Sequence, residues 1–242
     1  MKKRGKNRNF GFFVTKRRGS FIMREIIVDS SIQTGELPAY LGCIQCSVKV
    51  EPSSPALLER IDSVCAELAQ KMCIEQIKER EHIAATRAFC KRLGKDVQRY
   101  RNSAEAMHRR VIQGKGLYRI NNVVDVNNLV SVMSGYSLGT YDLSKVKGTI
   151  RWTVSEQGAH YEGIGKEAVN IEFLPVLCDD LGYFGNPNSD STRAMIGESC
   201  KEILMCVYGF GKREDLDGVL QQAKSALQSY CGAEQLEIKV IE

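Results

Sequence analysis

Apolar residues along this chain recur at two different periods, and the switches between them mark out its elements. Strand-like runs at Glu25–Val28 and Leu41–Val50 are set off by the turn residues Gly35 and Pro38. Pro52-Ser53-Ser54-Pro55 then stops the chain, with Ser54 placed as a helix N-cap and Pro55 at the first helical position. From Ala56 to Lys78 the period lengthens. Leu57, Leu58, Ile61, Val64, Cys65, Leu68, Met72 and Ile77 share one helical face. A second helix is predicted over Ile83–Leu93, ending at Gly94, and Ser103 is placed to cap a third that runs to about Gln113. This front part reads as a support layer.

Downstream, Thr149–Ser155 and Tyr161–Ile164 flank a Gln157-Gly158 turn, which predicts a hairpin. Val169–Cys178 reads as a buried strand interrupted by Pro175, and Asp179–Thr192 as a loop rich in Gly, Asn and Pro. A strand at Ile203–Val207, an amphipathic helix over Arg213–Tyr230 and a last strand at Leu236–Ile241 complete the order. Strands and helices do not alternate regularly, which argues for an α+β fold over a doubly wound sheet.

Between these halves lies the densest chemistry, Arg119–Val146. It opens on Asn121, Asn122, Asp125, Asn127 and Asn128, becomes an apolar helical run, breaks at Gly135, and closes on Thr140, Tyr141 and Asp142. Asn and Asp are poor helix formers whose short polar side chains hold backbone or ligand. Just before it, Lys91–Arg119 carries Lys91, Arg92, Lys95, Arg99, Arg101, Arg109, Arg110, Lys115 and Arg119 against only Asp96 and Glu105. Tyr100, His108 and Tyr118 are interleaved there. Such a patch suits either a solvated helix face or a grip on phosphates with rings that stack a base.

Other motifs weigh less. Gly135-Tyr136-Ser137-Leu138-Gly139 matches the pattern of a hydrolase nucleophile elbow, but a helix precedes it where a strand is needed, so Ser137 is read as a turn residue. Cys43-Ile44-Gln45-Cys46 has no second pair, and in a strand its thiols point to opposite faces; it is read as structural. Asp179-Asp180 is read as loop capping, since adjacent carboxylates on an extended chain diverge. No Walker loop or dinucleotide glycine fingerprint is present, no metal site is expected, and the histidines, His82, His108 and His160, form no evident acid–base pair.

Composition bounds the class. The 242 residues allow one large domain or two small ones, and the 43% apolar content fits a globular chain without a run long enough to cross a bilayer. The nine scattered cysteines fit a reducing compartment, so a cytoplasmic protein is expected. The net charge of +5 is uneven. Residues 1–22 hold eight of the 34 basic residues and no acid, which leaves the remainder at −3. The tail is either a disordered polybasic arm or, as expected here, a stretch upstream of a true start at Met23, with 23–242 forming one domain.

Ile120–Val126 (INNVVDV), Asn128, Gly135, Leu138 and Tyr141-Asp142-Leu143 resemble the B3/B4 domain of the bacterial phenylalanyl-tRNA synthetase beta subunit. Arg99–Gln113 resembles the helix before that motif, and the likeness continues weakly to about Phe210, so its core is 99–210. The Asp179–Arg193 loop is more like that of stand-alone B3/B4 proteins. The resemblance implies a three-layer α+β domain with an unusual β-sandwich. It also implies an editing site that hydrolyses the ester of mischarged aminoacyl-tRNA, notably one bearing tyrosine. No metal, cofactor or covalent nucleophile is implied. Three positions depart from the family pattern: Asn127-Asn128 stands for Thr-Asn, Gly139 for a His, and Cys206 for the Glu that reads the tyrosine hydroxyl.

On that resemblance the expected partner is a tRNA acceptor end or an aminoacyl-tRNA, with no DNA and no membrane. Asn121, Asn122, Asp125, Asn127 and Asn128 would shape the pocket, Thr140, Tyr141 and Asp142 its facing wall, and Cys206 would lie within it. Arg99, Arg101, Arg110 and Arg119 would meet phosphate. The activity expected is deacylation in trans, not ATP-dependent ligation. A non-catalytic module binding RNA or a free amino acid stands beside it, as does a purely structural or interaction protein.

Overall fold

The structure is a computed structural model and describes residues 23–33 and 37–242. The basic tail and the Gly35 turn lie outside the described residues. Strand β1 (Ile26–Val28) is followed by β2 (Ala39–Ser47) and helix α1 (Pro55–Lys71), whose N-terminus is closed by Ser54 accepting from the Leu57 N–H, with Pro55 next in the chain. The apolar face predicted to run to Lys78 is cut at Met72, where the backbone turns extended. A 3-10 segment, Ile74–Glu79, takes over after the Gln76 side chain accepts from the Cys73 N–H at 2.9 Å. Ile77 still packs inward, against Ile83 and Ala104. The local cap thus outweighed the helical period.

Helices α2 (Glu81–Arg92), α3 (Ser103–Ile112) and α4 (Asn122–Ser134) follow. The cap of α3 is Asn102, whose Oδ1 accepts from the Glu105 N–H at 2.8 Å, rather than Ser103. Ser103 instead opens the helix, and its N–H donates to the Pro187 carbonyl at 2.8 Å. Asn121 caps α4, and Gly135, at φ 85°, ends it in the left-handed conformation that glycine adopts without strain.

The chain then enters β3 (Ser137–Asp142). Ser137 is therefore a buried strand residue, not a turn, and the helix-to-strand order is the reverse of a nucleophile elbow. The predicted hairpin does not form either. β4 (Ile150–Val154) pairs in parallel with β1 and antiparallel with β7 (Pro175–Asp179), while β5 (His160–Glu162) pairs with β6 (Ala168–Asn170). The long strand read over Val169–Cys178 is thus two strands, parted by a turn in which Phe173 sits at φ 53°. Pro175 opens β7, where its missing N–H is tolerated. The loop read over Asp179–Thr192 contains β8 (Gly182–Gly185), hairpinned on β7. β9 (Glu202–Phe210), α5 (Leu216–Cys231) and β10 (Glu234–Ile241) end the fold.

Among the described residues two four-stranded sheets result, ordered β10-β2-β9-β3 and β1-β4-β7-β8. The first is sandwiched. From β2 and β9, Ile44, Cys46, Met205 and Val207 face α1, α4 and α5, packing with Leu57, Val126 and Leu220. The alternate residues Leu41, Cys43, Leu204, Cys206 and Tyr208 face the second sheet, with Trp152, Leu177 and Phe184. Both strands are buried along nearly their whole length for this reason, and Cys43 and Cys46 do lie on opposite faces. The architecture is α+β in three layers: helices, central sheet, outer sheet. Among the described residues no helix is long and apolar enough to cross a membrane.

Candidate functional site

β3 lies at one edge of the central sheet, and its side chains divide by parity. Leu138 joins the helix-side core, while Tyr141 joins the core between the sheets. Thr140, on the Leu138 side, donates its hydroxyl to Asn127 Oδ1 of α4 at 3.0 Å, and the Asn127 amide donates in turn to Asn128 Oδ1 at 3.3 Å. Around these three lies a cavity of about 270 Å³. Its walls include Ser103 and Met107 of α3, Val124 of α4, and the turn that carries Ser189 and Asp190. Ile120, Ile164 and Met195 also line it, and they are 63%, 47% and 42% exposed, so the cavity opens through an apolar collar.

Asp190 lies in the segment that reads from sequence as loop, among Asp179, Asp180 and Thr192, where composition assigns it no role. Its Oδ1 accepts from the Tyr141 hydroxyl at 2.8 Å and from the Asn186 N–H at 3.2 Å. Oδ2 has no partner among the described residues. Burial pushes the carboxyl up to about 7, against the opposing pull of the Tyr141 and Asn186 donors. Tyr141 also meets the Tyr208 hydroxyl at 2.6 Å; burial first, and the Asp190 carboxylate next, hold both phenols well above their usual range.

The turn itself is fixed on three sides. Asn186 Oδ1 accepts from the N–H groups of Asn188 at 2.7 Å and Ser189 at 3.0 Å. The Asn188 amide donates to the carbonyls of Tyr100 and Arg101 at 3.1 and 3.2 Å, and Pro187 receives the Ser103 N–H. Beyond it, Arg193 forks onto Asp179 at 2.8 and 3.2 Å and also donates to the Gly182 carbonyl at 2.8 Å. Asp179 accepts from the Leu181 N–H at 2.9 Å as well, so it caps the β7–β8 turn, as its pairing with Asp180 suggested.

The cavity gathers Asn127, Asn128 and Thr140 and leaves the other expected pocket residues elsewhere. Asn121 is the α4 cap and lines a neighbouring groove that shares Ile120 and Ile196. Asn122 points the opposite way, into the fold. Its amide donates to the carbonyls of Lys49 at 2.9 Å and Tyr230 at 3.0 Å, and its Oδ1 accepts from the Glu51 N–H at 3.0 Å. Asp125 is consumed by Ser53 at 2.6 Å and the Ile120 N–H at 3.0 Å. Asp142 holds Ser144, at 3.0 Å through its N–H and 2.6 Å through its hydroxyl. Tyr141 stands behind the cavity, reaching it through Asp190. Cys206 lies on β9, paired with Gly139 of β3, fully buried, its thiol pushed up by burial and by the Cys43 thiol.

At Gly139 a Cβ would fall 2.0 Å from the Tyr141 hydroxyl oxygen and 3.2 Å from Asp190 Oδ2. The space a side chain would need is taken by the tyrosine and the carboxylate. The strand tolerates no larger residue there without moving both.

The basic patch is more committed than its composition suggests. Glu105, fully buried, takes Arg87 at 2.7 Å and Arg109 at 3.1 Å, with Arg101 at 3.8 Å. Arg119 pairs with Asp62, and Arg99 lies over the Tyr100 ring at 5.7 Å. Arg110 stacks on Tyr118 at 3.9 Å, and Tyr118 is 60% exposed. Ser103, Met107 and Arg110 follow one another at spacings of four and three on α3, so the stack continues the stripe that lines the cavity. His108 is buried, donating from Nδ1 to the Ala104 carbonyl and accepting from Arg80, both at 2.7 Å.

A family model described as the B3/4 domain matches residues 85–224, from within α2 to within α5. No curated protein matches. Among solved structures, the chain is similar to the N-terminal fragment of the phenylalanyl-tRNA synthetase beta-subunit from Pyrococcus horikoshii, at 13% identity and a TM-score of 0.47. The match covers 90% of this chain and 54% of that one, so the chain spans about half the length of that fragment.

Proposed function

The chain belongs to the B3/4 domain family, and from that premise we propose that it binds the aminoacylated 3′ end of a tRNA in the α4–β3 cavity and hydrolyses mischarged esters in trans. Residues 23–242 act in this reading as one unit. The observation that carries it is the convergence of Asn127, Asn128 and Thr140 on one cavity ringed by exposed apolar side chains. Amides and a hydroxyl in a partly dry pocket suit the ribose hydroxyls and ester carbonyl of an aminoacyl-adenosine. The apolar collar suits the amino-acid side chain and excludes bulk water. Tyr118, flattened under Arg110, offers a face on which a terminal base can stack, and Arg110 and Arg119 offer charge to the adjoining phosphates.

The test is a panel of aminoacyl-tRNAs, cognate and mischarged, incubated with the protein and followed for ester loss. Turnover of at least one mischarged species supports the reading. Measurable binding of RNA or amino acid with no turnover on any member leaves a non-catalytic module of the same fold. Gly139 favours that second reading, because its strand position offers no side chain to the reaction.

A further inference from the structure

We propose that Asp190 is the general base of the α4–β3 cavity, activating the water that attacks the aminoacyl ester; the proposal rests on the hydrolytic reading above. The geometry separates the two carboxylate oxygens. Oδ1 is fixed by Tyr141 and Asn186, which sets the plane and direction of the group. Oδ2 carries no protein hydrogen bond among the described residues, and the residue lines the cavity. Oδ2 lies toward the edge strand, 3.2 Å from where a Cβ on Gly139 would fall. One oxygen held and one free, at the wall of a partly enclosed cavity, is the arrangement a base needs to take a proton from a small nucleophile.

The cavity's other polar groups do not fill that role. Asn127, Asn128, Thr140 and Ser103 are not basic near neutral pH, and the described histidines lie elsewhere: His108 is closed between Ala104 and Arg80, His82 is bonded to Asp215, and His160 is on β5. The titratable groups that face Asp190 are Tyr141 of β3, Tyr208 and Cys206 of β9, and Tyr161 of β5. All four are neutral at pH 7, so burial, with no facing cation among the described residues, sets the carboxyl near neutrality, where a base both accepts and returns protons readily.

Asp190 Oδ2 takes one proton from water as the water oxygen bonds to the ester carbonyl carbon, giving a tetrahedral intermediate. The bond from that carbon to the ribose oxygen then breaks, and the proton on Oδ2 passes to the leaving ribose oxygen. The products are the free amino acid and a tRNA with both terminal hydroxyls restored, and Asp190 returns to the carboxylate. Tyr141 acts as a positioning residue: its hydroxyl stabilises the carboxylate through Oδ1 and leaves Oδ2 free of that bond.

The experiment compares wild type with Asp190→Asn and Tyr141→Phe on a mischarged aminoacyl-tRNA, alongside binding of a non-hydrolysable amide analogue of aminoacyl-adenosine. Asp190→Asn is expected to lower kcat by roughly 100- to 10,000-fold, the usual worth of a general base, while the analogue binds as before. Retained binding also reports that the variant is folded. The wild-type rate should rise with pH and level off above about 7, and Tyr141→Phe should move that midpoint upward. An Asp190→Asn variant that hydrolyses at the wild-type rate overturns the proposal and leaves the proposed function standing. A loss of analogue binding that matches the loss of rate also overturns it, because the carboxylate is then holding the ammonium group. Wild-type protein that turns over no ester overturns the hydrolytic reading and, with it, this role.

Discussion

Thr140 and Asn127 meet across the seam between the central sheet and the helical layer, hydroxyl to carbonyl oxygen at 3.0 Å. Thr140→Val keeps the shape and removes the donor. The helix–strand bond is worth about 1 kcal/mol, so Tm should fall by about 2–4 °C for a chain of this size. The freed Asn127 amide should then reorient. The expected kinetic result is a raised KM for the aminoacyl ester, measured on the substrate identified by the panel; an unchanged KM would remove Asn127 from the binding wall.

Neighbouring asparagines in α4 should separate into two behaviours. Asn122→Ala removes a buried side chain and leaves the carbonyls of Lys49 and Tyr230 and the Glu51 N–H without the amide that ties them together. It should cost about 2–4 kcal/mol, read as a lower urea midpoint with unchanged slope. Asn128→Ala, at the cavity wall, should leave the midpoint within about 0.5 kcal/mol and reduce ester turnover. Equal loss of stability in both would mean that the motif is structural throughout.

Tyr118→Ala removes an exposed ring and its Arg110 stack. Affinity for tRNA should drop by about 1–3 kcal/mol, the worth of one stacked base, with Tm unchanged. Filter binding across a salt series checks it. The slope against salt should stay the same for Tyr118→Ala and become shallower for Arg110→Ala. A Tyr118→Ala affinity equal to wild type would place the base elsewhere.

Acid should loosen α3 through His108. Its ring is held down to about 4, first by burial and then by the Arg80 guanidinium. The folded value lies below that of the unfolded chain, so the neutral ring favours folding above about 6.5 and this contribution is lost as pH falls toward 4. A His108→Gln variant should therefore show a flatter fall of Tm between pH 6.5 and 4 than wild type.

Asp190 has the opposite sign. Its carboxyl is raised from 3.8 to about 7 in the fold, so the protonated form favours folding at low pH and that contribution disappears as pH rises through about 7. Asp190→Asn should be more stable than wild type at pH 8, and the difference should close below pH 4. A wild type as stable as the variant at pH 8 would mean that the carboxylate is better solvated than its position implies.

The regular elements were largely legible because their signals are local. Ser54 before Pro55, the period of Leu57, Ile61 and Val64, and Gly135 after α4 each act within a few residues. The outer sheet was not legible. β4 pairs with β1, more than a hundred residues earlier, and such partners leave no mark at a Gln157-Gly158 turn. Within the motif, composition said that polar side chains would hold something. It could not say that Asn122 and Asp125 turn toward backbone while Asn127 and Asn128 turn toward the cavity, since helical phase and the direction of packing decide that. Asp190 was hidden for a related reason: its setting comes from Tyr141 and Asn186, and the loop around it reads as ordinary turn chemistry.

The cavity borrows a wall from each of α3, α4, β3 and the Asn186–Asp190 turn, and each wall is set by bonds to distant parts of the chain. The site is therefore indivisible. A fragment carrying only the Arg119–Val146 motif, or the motif transplanted onto another scaffold, should bring the asparagines without the hollow between them. Grafting the function requires carrying the turn, the edge strand and both helices together.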